Sequence, residues 1–282
     1  MNTILTAVAF LILAPVIGIL VTGVDRIITA RMQGRVGPPV LQPLLDIAKL
    51  FEKEKVGVWQ APAVLIFLHL AFMVVTGLIF FGGGDLLLAI FALTLSEVFL
   101  VLAAFSTRSP YAHVGAGREL IQLIAVEPVI ILTAVGFYMV TGSFAASDIM
   151  SFSGLPVILL PGIFISMVCI LTFKLRKSPF DLSTSHHAHQ ELVKGVMTEF
   201  SGSTLGMVEL AHLYETVILL GIIYLFFVGN PVLGVLAVVV VYLLEMLADN
   251  STSRVKWLPA LRGAWLITLI LGGGNIIALS LL

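Results

Sequence analysis

Charged residues and cysteine are both scarce in this chain. Lys, Arg, Asp and Glu make up only 11% of the 282 residues, whereas 59% are hydrophobic, which excludes a soluble globular domain. The single cysteine, Cys169, excludes an internal disulfide and a thiolate cluster for zinc or iron–sulfur binding. GxGxxG, P-loop and nucleophile-elbow motifs are also missing. We therefore expect no catalytic centre, cofactor or metal in this chain.

Long apolar runs fill most of the sequence. Each predicts a transmembrane helix, because about 17 residues cross roughly 30 Å of hydrocarbon and a spanning segment must satisfy its own backbone hydrogen bonds. The first run lacks a basic n-region and is too long for a signal peptide, so we expect it to be retained. The predicted fold is one all-α integral membrane domain, 1–282. Its eight helices are expected at about 4–24, 63–82, 86–106, 120–141, 155–174, 204–228, 231–248 and 263–282.

Positive charge lies on one side of these runs. All 15 Lys and Arg fall in alternate connections, and the remaining connections ("GGGD", "GSFAASDIMSFSG", "GNP") carry none. By the positive-inside rule the basic connections face the cytoplasm. An even number of crossings then places both termini outside a multi-pass protein of the cell membrane.

The connection after the first run has a helical pattern of its own. Apolar residues recur there at helical spacing, with charged residues around the rest of the turn. These apolar residues are Leu41, Leu44, Leu45, Ala48 and Phe51. We predict an amphipathic helix at about 40–56 that lies on the cytoplasmic membrane surface in contact with lipid. The regular spacing disfavours a solvated linker.

Acidic residues interrupt the apolar runs. Ionisable groups at such depth are costly and by default indicate a functional path. Each residue turns a helix by about 100°, so the polar residues of the fourth run lie on one face of their helix. The polar residues of the sixth run likewise share one face. We predict a half-channel entered from the cytoplasm. Its ion-translocation set is Glu97, Glu119, Glu127, Glu209, His212, Glu215 and Glu245.

A packing role is the alternative for each carboxylate, because neutral polar groups also hydrogen-bond membrane helices together. Every Lys and Arg falls in a connection, so we expect no cation in mid-membrane. Glu97, Glu127, Glu209 and Glu215 are then predicted to lack basic ion-pair partners. Such carboxylates gain and lose protons more readily near neutral pH.

Six short segments carry a recognisable pattern. They are "RMQGRVGP" (31–38), "LQPLLDIAKLFEKE" (41–54), "GAGRELIQLIAVE" (115–127), "PFDL" (179–182), "ELVKG" (191–195) and "TEFSG" (198–202). Together they resemble the complex I subunit 1 family, whose member joins the quinone-reducing arm to the proton-pumping arm. The resemblance covers nearly the whole chain and implies eight core helices with long cytoplasmic loops.

Two departures from that family indicate a branch. "STSHHAHQ" (183–190) replaces the short acidic segment that follows "PFDL" in quinone-reducing members, and Pro39 stands where the first signature usually has Gly. A histidine-bearing loop resembles the branch in energy-converting, membrane-bound nickel–iron hydrogenases, particularly the Ech type. That resemblance implies a subunit that docks a peripheral module and couples ferredoxin-linked hydrogen evolution to H⁺ or Na⁺ translocation.

The same resemblance implies the partners. A peripheral nickel–iron large subunit and an iron–sulfur small subunit would hold the nickel–iron centre and the iron–sulfur clusters. An antiporter-like membrane subunit would lie beside this chain, ferredoxin would act indirectly, and no nucleic acid is expected. The docking and coupling face is predicted at Arg31, Arg35, Lys49, Asp181, His186, His187, His189, Glu191 and Glu199.

The three histidines of this face admit three interpretations. Zinc is disfavoured, because a tetrahedral site needs a fourth ligand and neighbouring histidines rarely converge on one ion. A solvated loop without a special role is the second. We favour a loop packed beneath the iron–sulfur subunit, where histidines that titrate near neutral pH relay charge.

Two other classes of function stay open. One is the quinone-site membrane subunit of a complex I-like NADH or related dehydrogenase, which inhibition by quinone analogues would reveal. The other is an independent secondary carrier. The carrier is disfavoured by the absence of an internal repeat and by the long connections.

Overall fold

Helices account for nearly all regular structure in this computed structural model, which describes residues 3–54, 60–180 and 194–281. Within those ranges no strand forms, and a single antiparallel bridge pairs Asp85 with Ala145. A 3₁₀ turn forms at Gly195–Met197 and a π-helical turn at Thr268–Gly273. The helices are α1 (Thr3–Met32), α2 (Gln42–Glu52), α3 (Gln60–Phe81), α4 (Leu86–Phe105), α5 (Pro110–Thr141), α6 (Ala146–Met150), α7 (Pro156–Leu159), α8 (Pro161–Lys174), α9 (Ser203–Leu225), α10 (Pro231–Ser251), α11 (Trp257–Ile267) and α12 (Gly274–Ser280).

Seven helical stretches in the described residues are long and apolar enough to cross a membrane. They are α1, α3, α4, α5, α9, α10 and the continuous stretch α11–α12. The predicted all-α, multi-pass membrane fold is therefore confirmed. The predicted count of eight is not, because α8 has only 14 residues.

The predicted helix at 155–174 is broken at Leu160. Pro161 has no backbone N–H and disfavours helical geometry in the preceding residue, so α7 ends there and α8 begins anew. Asn275 of α12 repairs the break. Its side-chain oxygen accepts hydrogen bonds from the backbone N–H groups of Gly162 (2.9 Å) and Ile163 (3.1 Å), and its amide donates to Leu159 O (3.0 Å). A residue on another helix thus caps α8.

Two helices extend well beyond their apolar runs. α1 continues to Met32, and α5 begins at Pro110, ten residues before the predicted start at 120. Pro110 suits the first turn of a helix, and Gly142 at φ 77° ends α5 in the left-handed region. The length of an apolar run predicts only the part of a helix that lies in hydrocarbon. Both helices continue beyond that part with polar turns, at the end of the bundle where the basic connections lie.

The centre of the bundle is formed by α9 and α5. α9 packs against α1, α2, α3, α8 and α10, whereas α11–α12 lies at the edge. In the most apolar stretch of each helix, 67% of the residues are buried in α9 but only 17% in α11–α12. Glu119 and Gln122 of α5 and Glu215 of α9 consequently point into protein rather than toward lipid.

The predicted amphipathic helix is present as α2, shorter than expected. Pro43 is buried, while Leu41, Leu44 and Leu45 stay exposed on the opposite side. Arg26 Nη1 of α1 donates to Asp46 Oδ2 over 2.7 Å and ties α2 to the bundle. Burial alone would raise the pKa of the Asp46 carboxyl, but hydrogen bonds from Arg26 and Gln42 outweigh it and hold that pKa below its ordinary value.

Gly115 and Gly117 of α5 offer a matched test of this packing. A Cβ at Gly115 would overlap the backbone of Gly195 and Val196, whereas one at Gly117 would meet nothing within 4 Å. We expect Gly115→Ala to destabilise the protein by about 1–3 kcal/mol through overpacking, and Gly117→Ala to leave stability unchanged or slightly raised. Thermal unfolding of the two purified variants checks this. Equal unfolding midpoints would contradict the packing of the 3₁₀ turn on α5.

Candidate functional site

A cluster of opposite charges lies inside the bundle where α4, α5, α8 and α9 meet. Lys174 Nζ, at the end of α8, donates to Glu97 Oε1 of α4, and the two side chains are only 4% and 5% exposed. Arg176 Nη2 donates to Glu119 Oε1 of α5 over 2.9 Å. Two buried ion pairs therefore join the segment after α8 to two helices that are distant in sequence.

Glu215 of α9 completes the cluster. Its side chain lines the same cavity as that of Glu97, and its Oε2 is 3.2 Å from His212 Nδ1. Three carboxylates and two fixed cations, Lys174 and Arg176, thus share one small cavity, which Gln122 also lines. Neighbouring carboxylates with too few cations to neutralise them favour shared protons.

The expectation that no cation reaches the buried carboxylates is wrong for Glu97. The sequence placed Lys174 and Arg176 in a cytoplasmic connection because the apolar run ends at 174. In the structure α8 also ends at Lys174, but the side chains of Lys174 and Arg176 enter the bundle and form ion pairs there. For Glu127, Glu209 and Glu215, no ion pair with Lys or Arg occurs among the described residues.

The turn that brings these cations inward is a Schellman motif. Lys177 N donates to Thr172 O (3.0 Å) and Arg176 N to Phe173 O (3.1 Å), with Arg176 at φ 51°. The left-handed region favours glycine and costs other residues about 1–2 kcal/mol. The ion pair with Glu119 holds Arg176 there in spite of that cost.

A second polar network lies between α1, α10 and the same segment. Lys177 Nζ donates to Asp25 Oδ2 (2.8 Å) and sits 4.5 Å from the centre of the Tyr242 ring. The Tyr242 hydroxyl donates to the same Asp25 oxygen over 3.0 Å. Asp249 Oδ1 accepts from Ser178 N (2.8 Å), and Glu245 is buried one turn before Asp249 on α10. Residues 174–178 therefore bind carboxylates on α1, α4, α5 and α10.

The structure divides the predicted ion-translocation set. Glu97, Glu119, Glu215 and His212 come together in the central cluster, and Glu245 belongs to the second network. Glu127 accepts a hydrogen bond from Thr94 and is only half-buried on the α4–α5 face. Glu209 and His212 line a separate, wider cavity between α1, α2 and α9.

His212 therefore connects two compartments. Its ring borders the wider cavity, and its Nδ1 contacts Glu215 of the central cluster. Its side chain is 28% exposed, against 5% for Glu215. A protonatable imidazole at this boundary is suited to pass protons from the cavity to the buried carboxylates.

Only part of the predicted docking face falls within the described residues. Arg31, Arg35, Lys49 and Glu199 are exposed. The remaining members lie outside the described residues: Asp181, His186, His187, His189 and Glu191. In the part of the chain that the structure describes, no group of three His, Cys, Asp or Glu side chains is arranged to hold a metal ion.

The sequence interpretation missed Asp25, Lys177 and Tyr242. Asp25 directly follows the first predicted apolar run, which ends at 24. An acidic residue so close to a membrane-spanning run could have indicated a buried carboxylate. Lys177 and Tyr242 carry no such signal, because a lysine after a run and a tyrosine within one are both ordinary. Only the turn after α8 brings them together.

Comparison with known proteins identifies the family of this chain. A family model described as NADH dehydrogenase matches residues 4–280. The chain belongs to the NADH dehydrogenase family. The resemblance to complex I subunit 1 is thereby confirmed.

Within the NADH dehydrogenase family, similar proteins come from two kinds of complex. Hydrogenase-4 component C of Escherichia coli (strain K12) is 30% identical over 291 residues, covering 92% of this chain and 90% of that protein. Formate hydrogenlyase subunit 4 of the same strain is 29% identical over 213 residues, 67% of this chain and 66% of that protein. An NADH-quinone oxidoreductase subunit of Dehalococcoides mccartyi is 29% identical over 229 residues, 73% and 63% respectively.

A solved structure supports the fold. A chain of the membrane-bound sulfane sulfur reductase, an archaeal respiratory membrane complex, superposes with a TM-score of 0.85 at 23% identity. The match covers 99% of this chain and 100% of that one. The relatives of this family member are thus membrane subunits of multi-subunit hydrogenase and complex I-like respiratory complexes.

Proposed function

We propose that this chain is the membrane subunit of an energy-converting nickel–iron hydrogenase complex. In that role it docks a peripheral electron-transfer module and couples ferredoxin-linked hydrogen evolution to H⁺ or Na⁺ translocation. The observation that carries the proposal is the buried cluster of Glu97, Glu119 and Glu215 with Lys174 and Arg176. A structural core does not need three carboxylates at this depth, whereas an ion path does. The similarity to two hydrogenase-complex proteins supports the choice of complex.

The proposed ion path begins at the cavity between α1, α2 and α9. Protons pass from this cavity through His212 to Glu215 and then to the pairs of Glu97 and Glu119. Glu127, half-buried on the α4–α5 face, is placed to hand the charge onward. A half-buried carboxylate on a membrane face requires a polar neighbour, and an antiporter-like membrane subunit supplies one.

Coupling, in this proposal, runs through residues 174–178. This segment holds carboxylates on four helices and leads directly into the connection that contains Asp181 and the three histidines. A small displacement of it would weaken several ion pairs at once. In a low-dielectric interior each such change alters the proton affinity of its carboxylate strongly. Electron transfer in a docked module can thereby be linked to proton movement in the membrane.

The topology belongs to the same proposal. We infer that α7 and α8 together make the eighth crossing, because the cations that follow α8 then join those of the other basic connections. Both termini lie outside the cell membrane and the long connections face the cytoplasm. The nickel–iron centre and the iron–sulfur clusters belong to the peripheral subunits.

A quinone-linked role is the second candidate. It is favoured by the 29% identity to the NADH-quinone oxidoreductase subunit of Dehalococcoides mccartyi. Purification through an affinity tag on this chain separates the two. Co-purifying nickel, iron–sulfur subunits and ferredoxin-linked hydrogen evolution support the hydrogenase complex. A purified complex that lacks nickel and reduces quinone, with inhibition by quinone analogues, would instead support the quinone-linked role.

The docking face is tested by charge reversal at Arg31 and Arg35. Both are exposed near the end of α1 that carries the basic connection. We expect Arg31→Glu/Arg35→Glu to release most of the hydrogenase activity from the membrane while the chain stays inserted, because reversed charges repel a complementary partner surface. Lys256→Glu/Arg262→Glu, which reverses two exposed cations at the N-cap of α11 and within it, is the matched control. A full complement of peripheral subunits after detergent extraction of the first variant would show that the face is assigned wrongly.

A further inference from the structure

His69 of α3 is a buried titratable side chain to which the ion path assigns no role. It is only 3% exposed, and its ring contacts Ser96 of α4, which is fully buried. An imidazole is the side chain best suited to change its charge near neutral pH. A hydrogen bond between two helices does not need such a group, because a non-titrating amide donates one equally well.

The contacts with Ser96 fix where the ring carries its hydrogen. The Ser96 hydroxyl donates to the backbone oxygen of His69 over 2.6 Å, so its own oxygen is left to accept. His69 Nδ1 lies 2.8 Å from Ser96 O and 2.9 Å from Ser96 Oγ. A carbonyl oxygen only accepts hydrogen bonds, so Nδ1 is the N–H donor and Nε2 of the neutral ring has a free lone pair.

The second ring nitrogen is open to a proton. Nε2 forms no hydrogen bond with any residue that the structure describes. Protonation there adds a donor at Nε2 and leaves both contacts of Nδ1 with Ser96 in place. The ring is thus able to change its charge without loosening α3 from α4.

The charges of the central cluster act on this ring. The imidazole interacts electrostatically with Glu215 and Glu119, and negative charge on either favours the protonated ring. Arg176 opposes the protonated ring, and so does burial. The balance between the neutral and the charged form of His69 therefore depends on how many carboxylates of the cluster hold a proton.

We propose that His69 is a proton-holding residue of the ion path, which binds a proton at Nε2 and returns it to the central cluster. The proton leaves the neutral carboxyl group of Glu215, which becomes a carboxylate as the ring becomes an imidazolium, and the reverse transfer restores both neutral groups. The two opposite charges attract each other in the interval. The inference rests on the proposed function; it adds α3 to the helices of the path and commits the transported ion to H⁺.

His69→Asn separates a proton-holding role from a structural one. The asparagine amide places an N–H close to the position of Nδ1 and keeps the hydrogen bond to Ser96, but it binds no second proton. In proteoliposomes that contain the whole complex, we expect proton uptake per hydrogen evolved to fall about tenfold or more, because a proton-transfer group contributes on the order of a hundredfold. Assembly and dye-linked hydrogenase activity should stay unchanged. His113→Asn, the same substitution at an exposed histidine of α5, is the control and should leave uptake unchanged.

Glu215→Gln, measured in parallel, separates this inference from the proposed function. Loss of uptake in both variants supports both. Normal uptake in His69→Asn with loss in Glu215→Gln would reduce His69 to a link between α3 and α4 and leave the ion path intact. Normal uptake in Glu215→Gln would overturn the path and this inference with it. Uptake of Na⁺ in place of H⁺ would overturn the inference alone.

His69→Gln is a second variant without a titrating side chain, and it keeps the test valid if His69→Asn does not assemble. The same loss of proton uptake in an assembled His69→Gln complex supports the proposal. Failure of both variants to assemble would assign the ring a structural role and overturn it.

Discussion

Lys174→Met is expected to destabilise the protein more than any other single substitution in the bundle. The substitution leaves Glu97 buried and close to Glu215 without its cation, and an uncompensated buried charge costs about 3–5 kcal/mol. A large fall in the thermal unfolding midpoint of the purified complex, with poor assembly, is the expected result. Lys256→Met, at an exposed position, is the matched control and should have almost no effect.

The double variant Glu97→Gln/Lys174→Met separates structure from function. Replacing both partners of a buried pair by neutral groups is often close to neutral for stability. We therefore expect the double variant to regain most of the lost stability and to assemble with its partners. If Glu97 is part of the ion path, ion uptake stays absent in this stable complex. Recovery of both stability and uptake would reduce the pair to a packing role.

Glu127→Gln and Glu215→Gln are expected to have the largest effect on ion transport. Glutamine keeps the shape and most hydrogen bonds of glutamate but does not ionise, so a path that passes through either residue is interrupted. We expect ion uptake by vesicles that contain the whole complex to fall to background in both variants. Hydrogenase activity assayed with an artificial dye should remain largely intact, because no redox centre is assigned to this chain. Asp148→Asn, exposed in the α5–α8 connection, is the control and should leave uptake unchanged.

The all-helical membrane fold and the presence of buried carboxylates could be predicted from the sequence, because both follow from the composition of apolar runs. Glu97, Glu119 and Glu215 sit inside or at the edge of such runs, and their depth alone indicates a shared interior. The surface helix α2 could be predicted as well, since its apolar residues recur at helical spacing. Its end could not be, because a periodic pattern does not mark where packing against α9 stops.

The partners of the carboxylates could not be predicted. The positive-inside rule assigns Lys174, Arg176 and Lys177 to the cytoplasm, because they lie at the end of an apolar run or after it. The rule does not consider that such side chains can turn back into the bundle. That turn depends on Arg176 in a left-handed conformation, which a glycine at this position would have signalled. The break at Leu160 was marked by Pro161, but the cap from Asn275 is a tertiary contact with no local pattern.

Simultaneous measurement of hydrogen evolution and ion uptake in proteoliposomes tests coupling through the buried cluster most directly. The complexes to compare are wild type and Glu215→Gln, with reduced ferredoxin as the electron donor. Coupling through the cluster predicts continued hydrogen evolution with no accompanying ion uptake in the variant. An unchanged number of ions taken up per hydrogen would contradict it and leave Glu215 as a residue that only holds α9 to its neighbours.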